Sequence, residues 1–474
     1  MTVARGVPRA VAPAGGRGTL AAGAVLLAAA VGLAVVVGHW PLPALAALAA
    51  AGALGLLLFR LDLVVAVLAA GFFFNAYLAH GIGIVTVDKC IGALAVMAWG
   101  LEWAVGRRPV ITTRQLWLAA AFLLWTGISV SVAINGQAAL ATTLRYVIFA
   151  TLYFLVIQAV RGERRRADTL IRVVVAAALV ASVIGLAAFF GHHVPRASGP
   201  LSDPNDFGFL LASTVPLAIY VMRWAVTNWA RALWGMALIV ILVCVFATFS
   251  RSALAGLAAA SLWALLTGRL RLRWVLVAAV GLAVAVGVAV RVAPALVETA
   301  FGAKAHVATA NVDVRLGYYR VELNEWAHYP IAGVGPGNFV YRFYQFAPGA
   351  DESLPYPSDV LTVSGEDAYL VILAEQGAVG LALFLGYLAL SWADLRRRFP
   401  HDERGDQLQA ALAAGFIVAC VGALFLTEQY YPPLWFLPAI GASLASGLPR
   451  AGAGGERRVL SGAADPGAPA GGHR

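Results

Sequence analysis

The stretch Arg164-Arg-Arg-Ala-Asp168-Thr-Leu170-Ile-Arg172-Val-Val-Val-Ala-Ala-Ala-Leu-Val-Ala-Ser182-Val-Ile-Gly-Leu-Ala-Ala-Phe189-Phe190-Gly191 decides the fold. From Leu170 to Phe190 it is almost wholly apolar, and its cations collect at one end. A helix rises about 1.5 Å per residue, so such a run covers the roughly 30 Å of a bilayer's hydrocarbon core. The triple arginine in front of it marks which end stays in water on the cytoplasmic side.

Working outward, the same pattern recurs along the chain. Apolar runs fall at 19–38, 41–59, 62–79, 88–105, 115–134, 145–160, 170–190, 206–222, 232–250, 252–268, 274–296, 367–391, 408–426 and 433–447. The composition agrees: 61% hydrophobic and 12% charged residues, with a mean hydropathy of +0.80. A soluble domain carries about twice that share of charge. The sequence therefore predicts an all-α polytopic membrane protein with 12–14 transmembrane helices and one long outer-face loop. Residues 19–448 read as a single transmembrane domain, and 1–18 and 449–474 as disordered cytoplasmic tails, rich in Gly, Ala, Pro and Arg. The three cysteines, Cys90, Cys244 and Cys420, are far apart and offer no disulfide framework or metal spacing.

Orientation follows from charge. With the N-terminus inside, the inner loops take Arg107, Arg108, Arg161, Arg164 to Arg166, Arg269, Arg271, Arg273 and Arg396 to Arg398. Of the 34 Lys and Arg only nine then fall outside: Lys89, Arg145, Arg196, Arg251, Arg291, Lys304, Arg315, Arg320 and Arg342. This topogenic bias accounts for most of the net charge of +10, so nothing calls for a nucleic-acid partner. The long connection 297–365 lands on the outer face, where loops of such length carry function.

The outer cations are disfavoured by topology, so each asks for a reason. Arg251 lies in Thr248-Phe-Ser250-Arg251-Ser252, where two hydroxyls beside a guanidinium suit an oxyanion such as phosphate. Its alternative is an interfacial, snorkelling arginine. Arg315, Tyr319, Glu322 and Trp326 follow one another at spacings of four, three and four, so they share a face of one amphipathic helix. Arg320 is off that face and reads as solvated, and His328, ahead of Pro330, as structural. Gly333-Val-Gly335-Pro-Gly337 lacks the strand and helix of a dinucleotide fingerprint and reads as a tight turn that re-aims the chain. Glu366 and Asp367 stand where the loop re-enters the membrane. Either one caps a helix, and two together exceed capping needs, so one is a candidate general base. Glu375 lies two turns deeper and needs a cation or hydroxyl. In Arg196-Ala-Ser-Gly199-Pro-Leu-Ser-Asp203-Pro204-Asn205-Asp206, Asp203 and Asn205 read as helix caps ahead of a divalent-ion site.

Four of these features, in this order and spacing, resemble the O-antigen ligase and Wzy-type polymerase superfamily of bacterial envelope glycosyltransferases. They are Gly199 to Asn205, Thr248 to Arg251, Arg315 with the turn from Pro330 to Phe339, and Ala368-Tyr369-Leu370 leading to Glu375, Gly377 and Gly380. They span about 195–385; the earlier runs match only in being apolar. The resemblance implies a GT-C-like fold and inverting transfer of a glycan from an undecaprenyl-diphosphate donor to a hydroxyl acceptor, a glycan or lipid, at the outer face of the bacterial cytoplasmic membrane. It implies no cofactor and no metal. Arginines matching Arg251 and Arg315 would hold the diphosphate, with Ser250 and Ser252 beside them. Arg196, Asn205, Arg145, Arg320, Tyr319 and Glu375 are possible supporting residues. Ligases of the family carry His-Asn where this chain has Glu366-Asp367. That departure tilts the expectation toward polymerisation and makes these two acids the catalytic candidates. A protein O-oligosaccharyltransferase is the neighbouring alternative. A lipid-linked oligosaccharide flippase is the alternative of another class, disfavoured because the chain shows no internal repeat and its polar groups gather at one face.

Overall fold

The structure is a computed structural model that describes residues 60–75, 81–82, 85–106, 109–191, 194–201, 203–273, 281, 287, 291, 315–347, 365, 367–397 and 402–446. The expected spans 19–38 and 41–59, nearly all of 274–296, both tails, Lys304, most of the 297–365 loop and Glu366 lie outside the described residues. By contacts the chain divides into 1–60 and 61–474, and all the described helices belong to the second unit.

Thirteen helices are present among the described residues. They are α1 (Leu61–Gly71), α2 (Val87–Gly106), α3 (Arg114–Ser129), α4 (Gly136–Val160), α5 (Arg164–Gly191), α6 (Pro204–Arg223), α7 (Asn228–Ala247), α8 (Arg251–Leu266), α9 (315–328), α10 (Phe339–Phe346), α11 (Ala368–Leu395), α12 (Glu403–Gly422) and α13 (Pro433–Ser446). Eight of them (α2 to α7, α11 and α12) are long and apolar enough to cross a membrane; α1, α8 and α13 are shorter apolar helices. The fold is that of an all-α polytopic membrane protein, its one strand pair among the described residues a two-residue hairpin (Gly81–Ile82 with Val85–Thr86).

Capping residues set most boundaries. Thr113, Asn135, Thr227 and Asp402 each accept an N–H from the first turn of the helix they precede. The Asn135 cap corrects one expectation. The span drawn at 145–160 begins at Gly136, because Ala, Thr and Gln continue the helix from that cap. Arg145 therefore sits well inside α4 instead of at its edge.

The core is built around α6, which packs on α5, α7, α8 and α12, while α13 packs on α4, α11 and α12. Small residues permit the close approaches: Gly415 of α12 abuts the Ser213 carbonyl of α6, and Gly422 abuts the Phe209 ring. Trp117, Leu124, Val180, Trp229 and Ile239 remain exposed, as suits side chains that meet lipid.

The connections alternate between two ends. At one end Arg161 donates to the Pro109 carbonyl, Arg164 to Asp402, and Trp224 to Gln407. At the other end residues 133–135, 194–201, 248–250, 365, 367 and 423–432 meet. There the Ala197 N–H donates to the Ala247 carbonyl, the Ala368 N–H to the Ala423 carbonyl, and the Asn135 N–H to the Asn338 side chain.

Candidate active site

The second end is assembled from three pieces. The first surrounds the N-terminus of α6. Asp203 accepts the N–H groups of Asn205 and Asp206, and Pro204 occupies the first helical position, where its missing N–H costs nothing. This fixes Asn205, whose Oδ1 accepts a 2.5 Å bond from Arg196. The Arg196 Nε donates to the Thr248 carbonyl at 2.8 Å, so one guanidinium ties the α5–α6 turn to the end of α7. Burial eases the Arg196 charge below the ordinary arginine value; Asp203 opposes this and the nearby Arg251 adds to it.

Arg251 is exposed at the first turn of α8. Phe249, at φ 50°, takes the left-handed conformation that turns α7 into α8 within three residues. Ser250 caps α8 through the Ala253 N–H, and its hydroxyl lies 2.9 Å from that of Ser252. Both serines are buried. They shape the helix start that presents Arg251, instead of flanking its guanidinium at the surface. The structure thus sets Arg251 beside Arg196, a pairing that linear spacing does not reveal.

The second piece is a broken helix. α11 runs from Ala368 to Leu395, but Gly377 has φ 69° and ψ −173°, so the helical ladder is interrupted there. The 330–338 turn fills the break. The Val334 and Gly335 N–H groups donate to the Ala374 and Glu375 carbonyls, each at 2.9 Å, and the Ala378 N–H donates to the Pro330 carbonyl at 2.8 Å. Backbone meets backbone so closely that a Cβ on Gly333 would lie 2.3 Å from the Glu375 carbonyl carbon, and one on Gly377 would lie 2.1 Å from the Ile331 oxygen. Both positions also need positive φ, so glycine is required twice over. The expected tight turn is present, and its purpose is to seal a helix break. Side chains finish the seal: Trp125 donates to the Gln376 carbonyl, and the Gln376 side chain bonds Thr126 and Tyr146. Asn338 spends its whole amide, accepting from the Asn135 N–H and donating to the Asn135 and Pro336 carbonyls.

α9 leads into that turn. It buries Tyr318, Val321, Glu322 and Glu325, leaves Arg315, Tyr319 and Trp326 half-buried along one edge, and exposes Arg320. The inner face is therefore set by Tyr318, Glu322 and Glu325 more than by the expected Arg315, Tyr319, Glu322 and Trp326 stripe. Tyr318, Phe339 and Phe343 form an edge-to-face cluster that packs α10 on α9. His328 bonds the Asn324 carbonyl of its own helix, a structural contact.

The third piece, 423–432, is one that the chain's motifs do not mark, although Glu-Gln-Tyr-Tyr-Pro-Pro between two apolar runs is a usable signal. Tyr431 donates to Asp206, beside the arginine pair. Tyr430 stacks at a tilt on Tyr146, 4.7 Å between centroids, with Arg145 5.9 Å above its ring. Thr427 donates to the Gly365 carbonyl. This segment therefore joins the α6 start, the middle of α4 and the start of α11. Asp367 lies at that last junction, where its Oδ1 accepts the N–H groups of Tyr369 (2.8 Å) and Leu370 (2.9 Å). Burial nevertheless raises its carboxyl above the ordinary range, the two N–H bonds opposing. One oxygen of Asp367 is thus committed to capping.

Residues 236–385 match the model of the O-antigen ligase family. The match runs from α7 into α11 and takes in Arg251, α9, the glycine turn and the broken helix, which supports the O-antigen ligase and Wzy-type polymerase superfamily. A search of curated proteins finds no match.

Proposed function

From the premise of an O-antigen ligase domain set among membrane-spanning helices, we propose that the protein transfers or polymerises glycan from an undecaprenyl-diphosphate-linked donor onto a hydroxyl acceptor at the outer face of the cytoplasmic membrane. Glycosyl transfer in general follows from the family; donor, acceptor and face are our reading. The carrying observation is the convergence, at one end of the bundle, of Arg196 and Arg251 with the re-entry at Asp367, linked through Tyr431 and Thr427. The topogenic charge bias supports assigning that end to the outside.

In this reaction the acceptor oxygen attacks the anomeric carbon as the bond to the diphosphate oxygen breaks, with inversion. The leaving diphosphate takes the bonding electrons, and its added charge is met by guanidiniums more strongly in the transition state than in the ground state. Arg251 and Arg315 are the proposed diphosphate ligands. Arg196 holds the α7 end in place and adds positive potential. Glu366 is the proposed base that takes the acceptor proton, since its neighbour Asp367 is engaged as a cap. The Glu-Asp pair in place of the ligases' His-Asn favours polymerase over ligase. Purified protein given undecaprenyl-diphosphate oligosaccharide, with and without candidate acceptors, tests the proposal. A ladder of longer glycans is the expected product; one larger conjugate would mean ligase, and unchanged donor under all conditions would overturn transfer.

A further inference from the structure

The 423–432 segment supplies no group to the transfer step, yet it grips the helix against which the arginine pair is built. Tyr431 is followed by Pro432 and Pro433, whose rings fix φ at both positions. The chain around it is pinned as well. Thr427 donates to the Gly365 carbonyl, Trp435 to the Gln429 carbonyl at 2.9 Å, and Tyr430 lies against Tyr146. The half-buried Tyr431 hydroxyl is thus carried on a backbone with little freedom to move.

That hydroxyl donates to Asp206 in the first turn of α6, and the Tyr431 ring meets Phe209 edge-on, 6.1 Å between centroids. Asp206 and Phe209 are three residues apart, so they share one face of α6. Asn205 and Gly208, also three apart, lie on the adjacent face and meet the corner where α7 turns into α8. Asn205 accepts from Arg196, whose Nε donates to the Thr248 carbonyl. A Cβ on Gly208 would lie 2.6 Å from the Thr248 Oγ1 and 2.8 Å from the Ser250 Cβ, so the α6 backbone touches the corner directly. Inside the corner the Ser250 N–H donates to the Thr248 Oγ1 at 3.2 Å. Phe249 between them has φ 50°, a conformation that a side chain of this size keeps only where its surroundings impose it. Arg251 follows at once, so the start of α6 decides where its Cα stands.

We propose that Tyr431 is a positioning residue for Arg251: its hydroxyl holds the start of α6 in register against the α7–α8 corner, and the corner aims the guanidinium at the diphosphate. The role rests on the diphosphate reading of Arg251 above. A tyrosine that only filled space would act through its ring, whereas this role needs the hydroxyl. A planar guanidinium fork binds phosphate bidentately and is sensitive to misplacement; an ammonium on a flexible stem is far less so.

Titration of the purified full-length protein with undecaprenyl diphosphate tests this in four forms: wild type, Y431F, R251K and Y431F/R251K. Y431F keeps the ring against Phe209 and loses only the hydroxyl, and it should bind on the order of tenfold more weakly than wild type. R251K keeps a charge, so its binding stays measurable. Adding Y431F to R251K should cost less than about twofold, because both changes act through one contact. Wild-type affinity in Y431F overturns the proposal. So does a similar loss in both backgrounds, which is what a general loosening of the fold would give. A wild type that does not bind undecaprenyl diphosphate overturns the diphosphate site, and the positioning role with it. Binding with the expected coupling, in a protein that never transfers or extends glycan, overturns the transfer reading and leaves Tyr431 in its role.

Discussion

At the end of the bundle where Arg164 meets Asp402, four acids face cations. Arg164 bonds Asp402, Arg166 bonds Glu163, Arg397 lies near Asp394, and Arg404 reaches the buried Asp168 at 2.5 Å while donating to Tyr220. At the other end like charges lie within electrostatic reach of one another: Arg251 of Arg196, and Glu375 of Glu325. There backbone contacts and close-packed glycines hold the described segments together. A membrane bundle closes most simply with paired charges, as at the first end. Unpaired like charges are tolerated where binding a substrate of opposite charge, or holding a proton, supplies the missing partner.

Substitutions on matched residues of the two ends sharpen this contrast. The largest effect is expected for Arg251→Ala, which should lower turnover of lipid-linked glycan by about 10²–10³-fold while thermal unfolding is unchanged, the scale seen when one preorganised charge-stabilising group is lost. Wild-type turnover by this variant would remove Arg251 from the site. Next come two glycines with the same φ. Gly377 and Gly268 both have φ 69°, but a Cβ on Gly377 collides with the Ile331 carbonyl whereas one on Gly268 meets nothing within 4 Å. Gly377→Ala should cost about 3 kcal/mol and undo the turn, Gly268→Ala about 1 kcal/mol, measured by unfolding in detergent. Equal costs would show that the docked turn contributes nothing beyond its φ.

Arg404→Ala should destabilise by about 3 kcal/mol, since it strands the buried Asp168, yet leave the turnover of folded protein intact. A large loss of turnover there would mean that the paired end also takes part in catalysis. Smallest is Asp402→Asn. The Arg164 bond, then the Gly405 N–H, hold the exposed Asp402 carboxyl below its ordinary value. Its contribution is present above the unfolded value and lost as pH falls through the folded one, and at this exposure it amounts to less than about 1 kcal/mol. Burial holds the Glu325 carboxyl up at about 9, the opposite sign to Asp402, so acid loosens the paired end and alkali the other. Unfolding curves at both extremes for D402N and E325Q read the two separately.

Much of this is legible in the chain itself. Leu170 to Phe190, and the runs like it, are apolar and long because a bilayer offers backbone groups no water and only helices satisfy them locally. Gly333, Gly335 and Gly337 announce a turn, and Asp203 announces a cap, because both are short-range consequences of residue type. Where a helix begins is less secure. The apolar run at 145–160 starts nine residues after its helix does, since Gln137, Thr142 and Thr143 look polar in sequence yet join the helix begun at Asn135.

What no linear pattern contains is who meets whom. Arg196 beside Arg251, Tyr431 on Asp206, and the glycine turn closing α11 each join residues far apart in sequence. Hydropathy and capping act over a few residues, so the sequence alone determined a membrane-spanning helical chain with its chemistry gathered between apolar runs. Only the packing of α6, α9, α11 and the 423–432 segment decided which cations and acids share a site, because that depends on shape and close contact across the whole bundle.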